Sequence, residues 1–105
     1  MAEIIITKEN FKDEVANVKD MPILLDFWAD WCGPCNMLSP IVEEVSNELD
    51  GQVRVGKVNV DEQPELATAF GVESIPLLVV MKNGVVVNHS VGYCNKEKIL
   101  KMLEI

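Results

Sequence analysis

The residues best suited to chemistry stand together in one stretch, Trp31-Cys32-Gly33-Pro34-Cys35, with Asp26 upstream in an otherwise apolar run. Two thiols at this spacing can exchange disulfides or bind a soft metal. Three positions make about one helical turn, which brings the two Cα atoms within the roughly 4.4–6.8 Å that an unstrained disulfide needs. If Cys32 stands where a helix begins, the unpaired N–H groups there favour its thiolate over its thiol. Gly33 lets a partner's backbone approach closely, and Pro34 fixes one dihedral without leaving an N–H unsatisfied. A structural zinc ion would want four ligands. Beyond this pair the chain offers only Cys94 and His89, with no second two-cysteine knuckle, so no metal is expected. Inert burial of both thiols fits poorly with Gly and Pro between them.

Holding such a turn requires a strand that ends before it and a helix that starts within it. Ile23, Leu24, Leu25, Phe27 and Trp28 form an apolar run broken only by Asp26, the pattern of a central strand covered on both faces. From about Pro34 to Leu49, residues Leu38, Ile41, Val42, Val45 and Leu49 mark one helical face, with Pro40 removing a backbone donor in mid-helix. Glu3 to Thr7 suits a short first strand. Thr7 can cap a helix carrying Phe11, Val15 and Val18. Val53 to Val60, containing Lys57, reads as a third strand, and Pro64 opens a brief helix that Gly71 closes. Leu77 to Met81 and Val85 to Val91 flank Asn83-Gly84, a dipeptide that favours a tight hairpin. Asn95 can cap a last helix that buries Ile99, Leu100 and Leu103. The expected architecture is a mixed α/β sheet of five strands flanked by four helices.

Length and composition agree with one domain over residues 1–105, since 49% hydrophobic and 25% charged side chains are an ordinary globular balance. A net charge of -8 repels phosphate backbones and anionic lipid, so neither nucleic acid nor a membrane is an expected partner. The acids are scattered and read as a source of solubility. No apolar run approaches the ~20 residues needed to span a bilayer. Met1 to Ile6 lacks the basic region and cleavage site of a secretory signal, so a cytoplasmic location is expected. In a reducing compartment, an odd cysteine count speaks against a disulfide scaffold and for metal or redox chemistry.

With these residues in view, the chain resembles the thioredoxin family over essentially its whole length. The match rests on the WCGPC turn, Asp26, Pro40, Lys57, Ile75-Pro76, Asn83-Gly84 and Gly92. The resemblance implies the thioredoxin fold and a dithiol-disulfide oxidoreductase. Cys32 would attack a target disulfide and Cys35 would resolve the mixed disulfide, after which a flavoprotein thioredoxin reductase would restore the dithiol. No cofactor is implied, and nothing demands more than a monomer. Cys32 must then be exposed and partly ionised, while Cys35 stays protonated until its turn. Asp26, desolvated in its strand, is the candidate proton acceptor, the competing reading being a strand-end acid facing water. The family places Lys57 beside it, where it would favour the carboxylate; otherwise Lys57 is an ordinary solvated strand lysine. The family's Ile75-Pro76 bond is cis, turning the Ile75 backbone toward the cysteines to pair with an extended target segment. Trp31, Gly33, Pro34, Ile75, Pro76 and Gly92 would form the apolar docking patch.

Four positions depart from the family pattern. Asn36 stands where a lysine or arginine commonly follows the second cysteine, Leu77 replaces the usual threonine after the proline, and Tyr93 and Cys94 follow Gly92. Cys94 reads either as a small hydrophobe or as a regulatory thiol. His89 reads as a surface strand residue. Two other functions compete with a general carrier: an electron donor dedicated to one client system, and a non-redox binding subunit on the same fold.

Overall fold

The computed structural model describes residues 3–105. Five strands, β1 (Glu3–Ile5), β2 (Ile23–Trp28), β3 (Arg54–Asn59), β4 (Leu77–Lys82) and β5 (Val85–Val91), form one sheet in the order β1-β3-β2-β4-β5. The first three run parallel, and β4 and β5 return antiparallel, so the sheet is mixed as expected. Its helices are α1 (Gly33–Glu48), α2 (Pro64–Ala69) and α3 (Lys96–Met102), together with a π-helical turn at Lys12–Ala16.

Side chains alternate across the sheet and divide the core in two. Leu24, Val55, Leu78 and Val80 face Leu38, Val42 and Val45 of α1 and Ile99 of α3. Ile23, Leu25, Phe27, Val58 and Val79 pack on the other side with Val15, Phe11, Leu66 and Phe70. β2 lies between β3 and β4 with both faces covered, which is why its sequence is almost wholly apolar. Asp26 falls on the α1 side, directly opposite Lys57 of β3.

Local chemistry explains most element ends. Asn83 and Gly84 both take positive φ, 53° and 78°, as the expected tight hairpin requires. The Asn95 side chain accepts from Lys98 N–H at 2.9 Å and so caps α3. α1 continues through Pro40, whose missing N–H falls on the exposed side. The segment after β1 differs from the regular helix expected there. Thr7 does cap it, its Oγ1 accepting from Asn10 N–H while Asn10 Oδ1 accepts from Thr7 N–H. The chain then widens, with Asn17 N–H donating to Lys12 O, and this single broad turn buries Val15 completely while Phe11 and Val18 pack beside it. The first and third strands are shorter than expected, ending at Ile5 and spanning only Arg54–Asn59.

Candidate active site

β2 ends at Trp28, and four residues later the chain enters α1 with Cys32 as its N-cap. Cys35 N–H donates to Cys32 Sγ at 3.2 Å, so one of the unpaired amides of the helix start is aimed at the sulfur. Pro34, inside the first turn, has no amide to satisfy. Cys32 and Cys35 are joined in a disulfide with a Cα–Cα separation of 5.2 Å, inside the range expected from their spacing. The Ile75–Pro76 bond is cis, as the family resemblance implied, and Ile75 O lies 3.8 Å from Cys32 Sγ. Gly92 N–H donates to Pro76 O at 2.8 Å with Gly92 at φ 91°, which ties the loop after β5 to the loop before β4. Two sequence-distant loops thus meet at one sulfur, and a third braces them through Pro76.

Exposure at this sulfur differs from expectation. Cys32 is only 5% exposed and Cys35 2%, both packed against Ala29 with Trp28, Val60 and Ile75 around them. The reason is chemical: a closed disulfide is apolar and sits in an apolar rim, whereas the expectation of exposure concerned the reduced, ionised sulfur. What stands out to solvent is the rim itself. Trp31 is 70% exposed, and Val91 and Tyr93 on either side of Gly92 are also exposed. Trp31 is held by its indole N–H, which donates to Asp61 Oδ2 at 2.8 Å. Asp61 was not singled out in the sequence, where it is one of many scattered acids. Asn59 Oδ1, accepting from the Asp61 and Glu62 amides, fixes the loop that presents it. Gly33 faces open space, and a Cβ there would meet nothing within 4 Å.

Beneath the disulfide lies a buried charge pair. The Asp26 side chain is 1% exposed and Lys57 Nζ stands 3.4 Å from its Oδ2, with the Lys57 side chain 13% exposed. Neither the strand-end acid nor the solvated lysine is therefore present. Among the described residues neither Asp26 oxygen has a hydrogen-bond partner; Lys57 Nζ instead donates to Ser39 Oγ at 3.2 Å and lies 5.0 Å from the centre of the Trp28 ring. Ser39 is one turn after Cys35 on α1, so the pair and the second cysteine share one helix face. Burial pushes the Asp26 carboxyl up from 3.8 to about 6 against the opposing pull of Lys57.

The departures resolve into distinct environments. Asn36 Nδ2 donates to Asp30 O at 3.4 Å, placing a neutral amide where the family commonly has a cation. Leu77 is buried in the core beside β2. Cys94 is a free thiol packed with Leu24, Leu38, Leu78 and Ile99, and burial pushes it up, so it has the environment of a small hydrophobe. His89 is exposed on β5, as expected. Among the described residues no group of His, Cys, Asp and Glu is placed to hold a metal. No helix among them is long and apolar enough to cross a membrane. A groove of about 330 Å³ between Phe70 and the β4–β5 hairpin contains neither cysteine of the pair.

A model of the thioredoxin family matches residues 2–105. The chain belongs to the thioredoxin family. It is 45% identical over 95 residues to a thioredoxin of Rickettsia felis, covering 90% of each chain. It is 43% identical over 99 residues to thioredoxin 1 of a Nostoc species, covering 94% of this chain and 92% of that one. Against a thioredoxin of Chlorobaculum thiosulfatiphilum the identity is 41% over 98 residues, 93% and 90% of the two chains. Family and cysteine pair together make it a disulfide oxidoreductase that works through a redox-active Cys32–Cys35 pair. Membership in the thioredoxin family implies disulfide-containing targets.

Proposed function

We propose that the protein is a cytoplasmic electron carrier that reduces protein disulfides and is recycled by a flavoprotein thioredoxin reductase. The observation that carries this reading is the disulfide at the mouth of α1, with a helix amide on Cys32 Sγ and a buried carboxylate, paired with Lys57, on the same side of the sheet. In the dithiol form, the Cys32 thiolate attacks one sulfur of a target disulfide. A mixed disulfide forms and the other target sulfur leaves as a thiolate. Asp26 then takes the Cys35 proton, the Cys35 thiolate attacks Cys32 Sγ, and the second target sulfur departs. The target has gained two electrons and Cys32–Cys35 has lost them. With its carboxyl at about 6, Asp26 is mostly ionised at neutral pH and ready to accept that proton. Lys57 keeps its proton affinity from climbing further.

Target docking uses Trp31, Gly33, Pro34, Ile75, Pro76 and Gly92. The Ile75 backbone offers strand-like hydrogen bonds to an extended target segment, and such pairing tolerates many side chains. The apolar rim beside it suits brief contacts rather than a permanent complex. The carrier works as a monomer, without a cofactor or metal of its own.

The test is reduction of insulin disulfides by dithiothreitol. The protein should accelerate it strongly, Cys32→Ser and Cys35→Ser should each abolish the acceleration, and Cys35→Ser alone should accumulate mixed disulfides. A parent protein that gives no acceleration overturns the proposal. A donor dedicated to one client is the second reading, favoured by the exposed Tyr93 beside Gly92 and the neutral Asn36. Such a donor would pass the dithiothreitol assay and fail with a general thioredoxin reductase.

A further inference from the structure

The charge pair beneath the disulfide has a third neighbour. Glu3 opens β1 opposite Val55, two residues before Lys57 on β3, so its side chain stands on the same α1-facing side of the sheet as Lys57 and Asp26. Its Oε2 is buried and has no hydrogen-bond partner among the described residues. Lys57 therefore has two carboxylates on its side of the sheet, acts on both, and makes its ion-pair contact with Asp26. We propose that Glu3 is a positioning residue of this site, a second acid that competes for the charge of Lys57 and so weakens its hold on the Asp26 carboxylate. The proposal rests on the reading of Asp26 as proton acceptor.

Charge balance gives the direction. One lysine neutralises one acid, so a second acid nearby leaves a net negative charge that raises the cost of ionising Asp26. Both carboxyls behave accordingly. Burial raises Glu3 while Lys57 lowers it, and the charge on Glu3 adds to the upward shift of Asp26. The other groups around the pair are few. From α1 come Ser39, which accepts from Lys57, and Glu43, which acts on Glu3. From the turn after β5 comes Cys94, which is buried beside Ser90 and feels Lys98 of α3. Leu78 of β4, opposite Asp26, carries no charge. Among the described residues Lys57 is the only cation in ion-pair contact with Asp26, so withdrawing part of its field has no local substitute.

The decisive readout is the pH titration of the Asp26 side-chain carbon by NMR in the disulfide form, where Cys32 and Cys35 do not titrate. Glu3→Gln keeps the shape and removes the charge; the Asp26 midpoint should fall by on the order of 0.5 pH unit. Glu3→Asp, which keeps the charge, should hold the midpoint closer to that of the parent than Glu3→Gln does. In the insulin assay the acid limb of the rate should move down with the midpoint in Glu3→Gln. An Asp26 midpoint unchanged in Glu3→Gln, with the protein folded, overturns the role of Glu3 even where the parent reduces insulin at full rate. A parent that fails to reduce insulin overturns the proposed function instead, whatever the titration gives.

Discussion

Cys32 and Cys94 are the same side chain in two environments, and both are almost wholly covered in the disulfide form. Around Cys32 the covering is thin and polar in its direction: a helix amide points at the sulfur, Ile75 O lies beside it, and exposed Trp31 rims it. Around Cys94 the core side chains of Leu24, Leu38, Leu78 and Ile99 dominate, and burial pushes the thiol up against the weaker opposing pull of Lys98 and the Ser90 hydroxyl. Burial alone therefore does not decide reactivity. The groups that meet the charge once it forms do.

The largest effect that tests this contrast is removal of the first sulfur. Cys32→Ser should lower insulin reduction to the rate of dithiothreitol alone, whereas Cys94→Ala should leave it unchanged; a comparable loss in both would erase the distinction. Next comes Asp26→Asn, which removes the proton acceptor. Turnover at neutral pH should fall by about 10²-fold, with the mixed disulfide accumulating, since general base catalysis is worth at least that much.

The same substitution should stabilise the fold. Asp26 is neutral in both states below about pH 3; as pH rises the unfolded chain ionises near 3.8 and the folded one only near 6, so folding loses stability across that window. A difference from 3.8 to about 6 corresponds to roughly 3 kcal/mol at pH 7. Asp26→Asn should recover roughly 2–3 kcal/mol there and almost none below about pH 3, as urea unfolding at the two pH values would read. Lys57→Met should act in the opposite sense on Asp26, raising its midpoint and shifting the acid limb of the activity profile upward. An unmoved limb would show that Lys57 does not tune the acceptor. Smallest is the stability cost of Cys94→Ala, about 1 kcal/mol from a lost buried sulfur, read by the same unfolding experiment.

Much of this was legible in the chain because its signals are local. The cysteine spacing, the Gly-Pro between the thiols, Asn83-Gly84 and the Asn95 cap each act within a few residues, and the structure places each where its chemistry requires. Asp26 could be read because an acid interrupting an apolar strand is conspicuous. Glu3 and Asp61 could not, since each acquires its neighbour through register or loop packing, across 54 residues for Glu3 and Lys57 and 30 for Trp31 and Asp61. Gly56 shows the same limit. Nothing around it in the sequence marks it, yet an added Cβ would meet Ile6 Cγ1 at 2.6 Å, so the core side that holds Leu25 and Phe27 closes tightly over a glycine. The broad turn at Lys12–Ala16 escaped because spacings of three and four residues fit an α-helix and a π-helical turn almost equally well.

The most direct measurement is the rate of alkylation of the reduced protein by iodoacetamide as a function of pH, with the modified cysteine assigned by mass spectrometry. Cys32 should react first, with a midpoint well below the ordinary thiol value of about 8.5, while Cys94 stays unmodified until the protein unfolds. A Cys32 midpoint at or above that of a free thiol, or modification of Cys94 in the folded protein at the same rate, would contradict the view that the mouth of α1 makes this sulfur the reactive one.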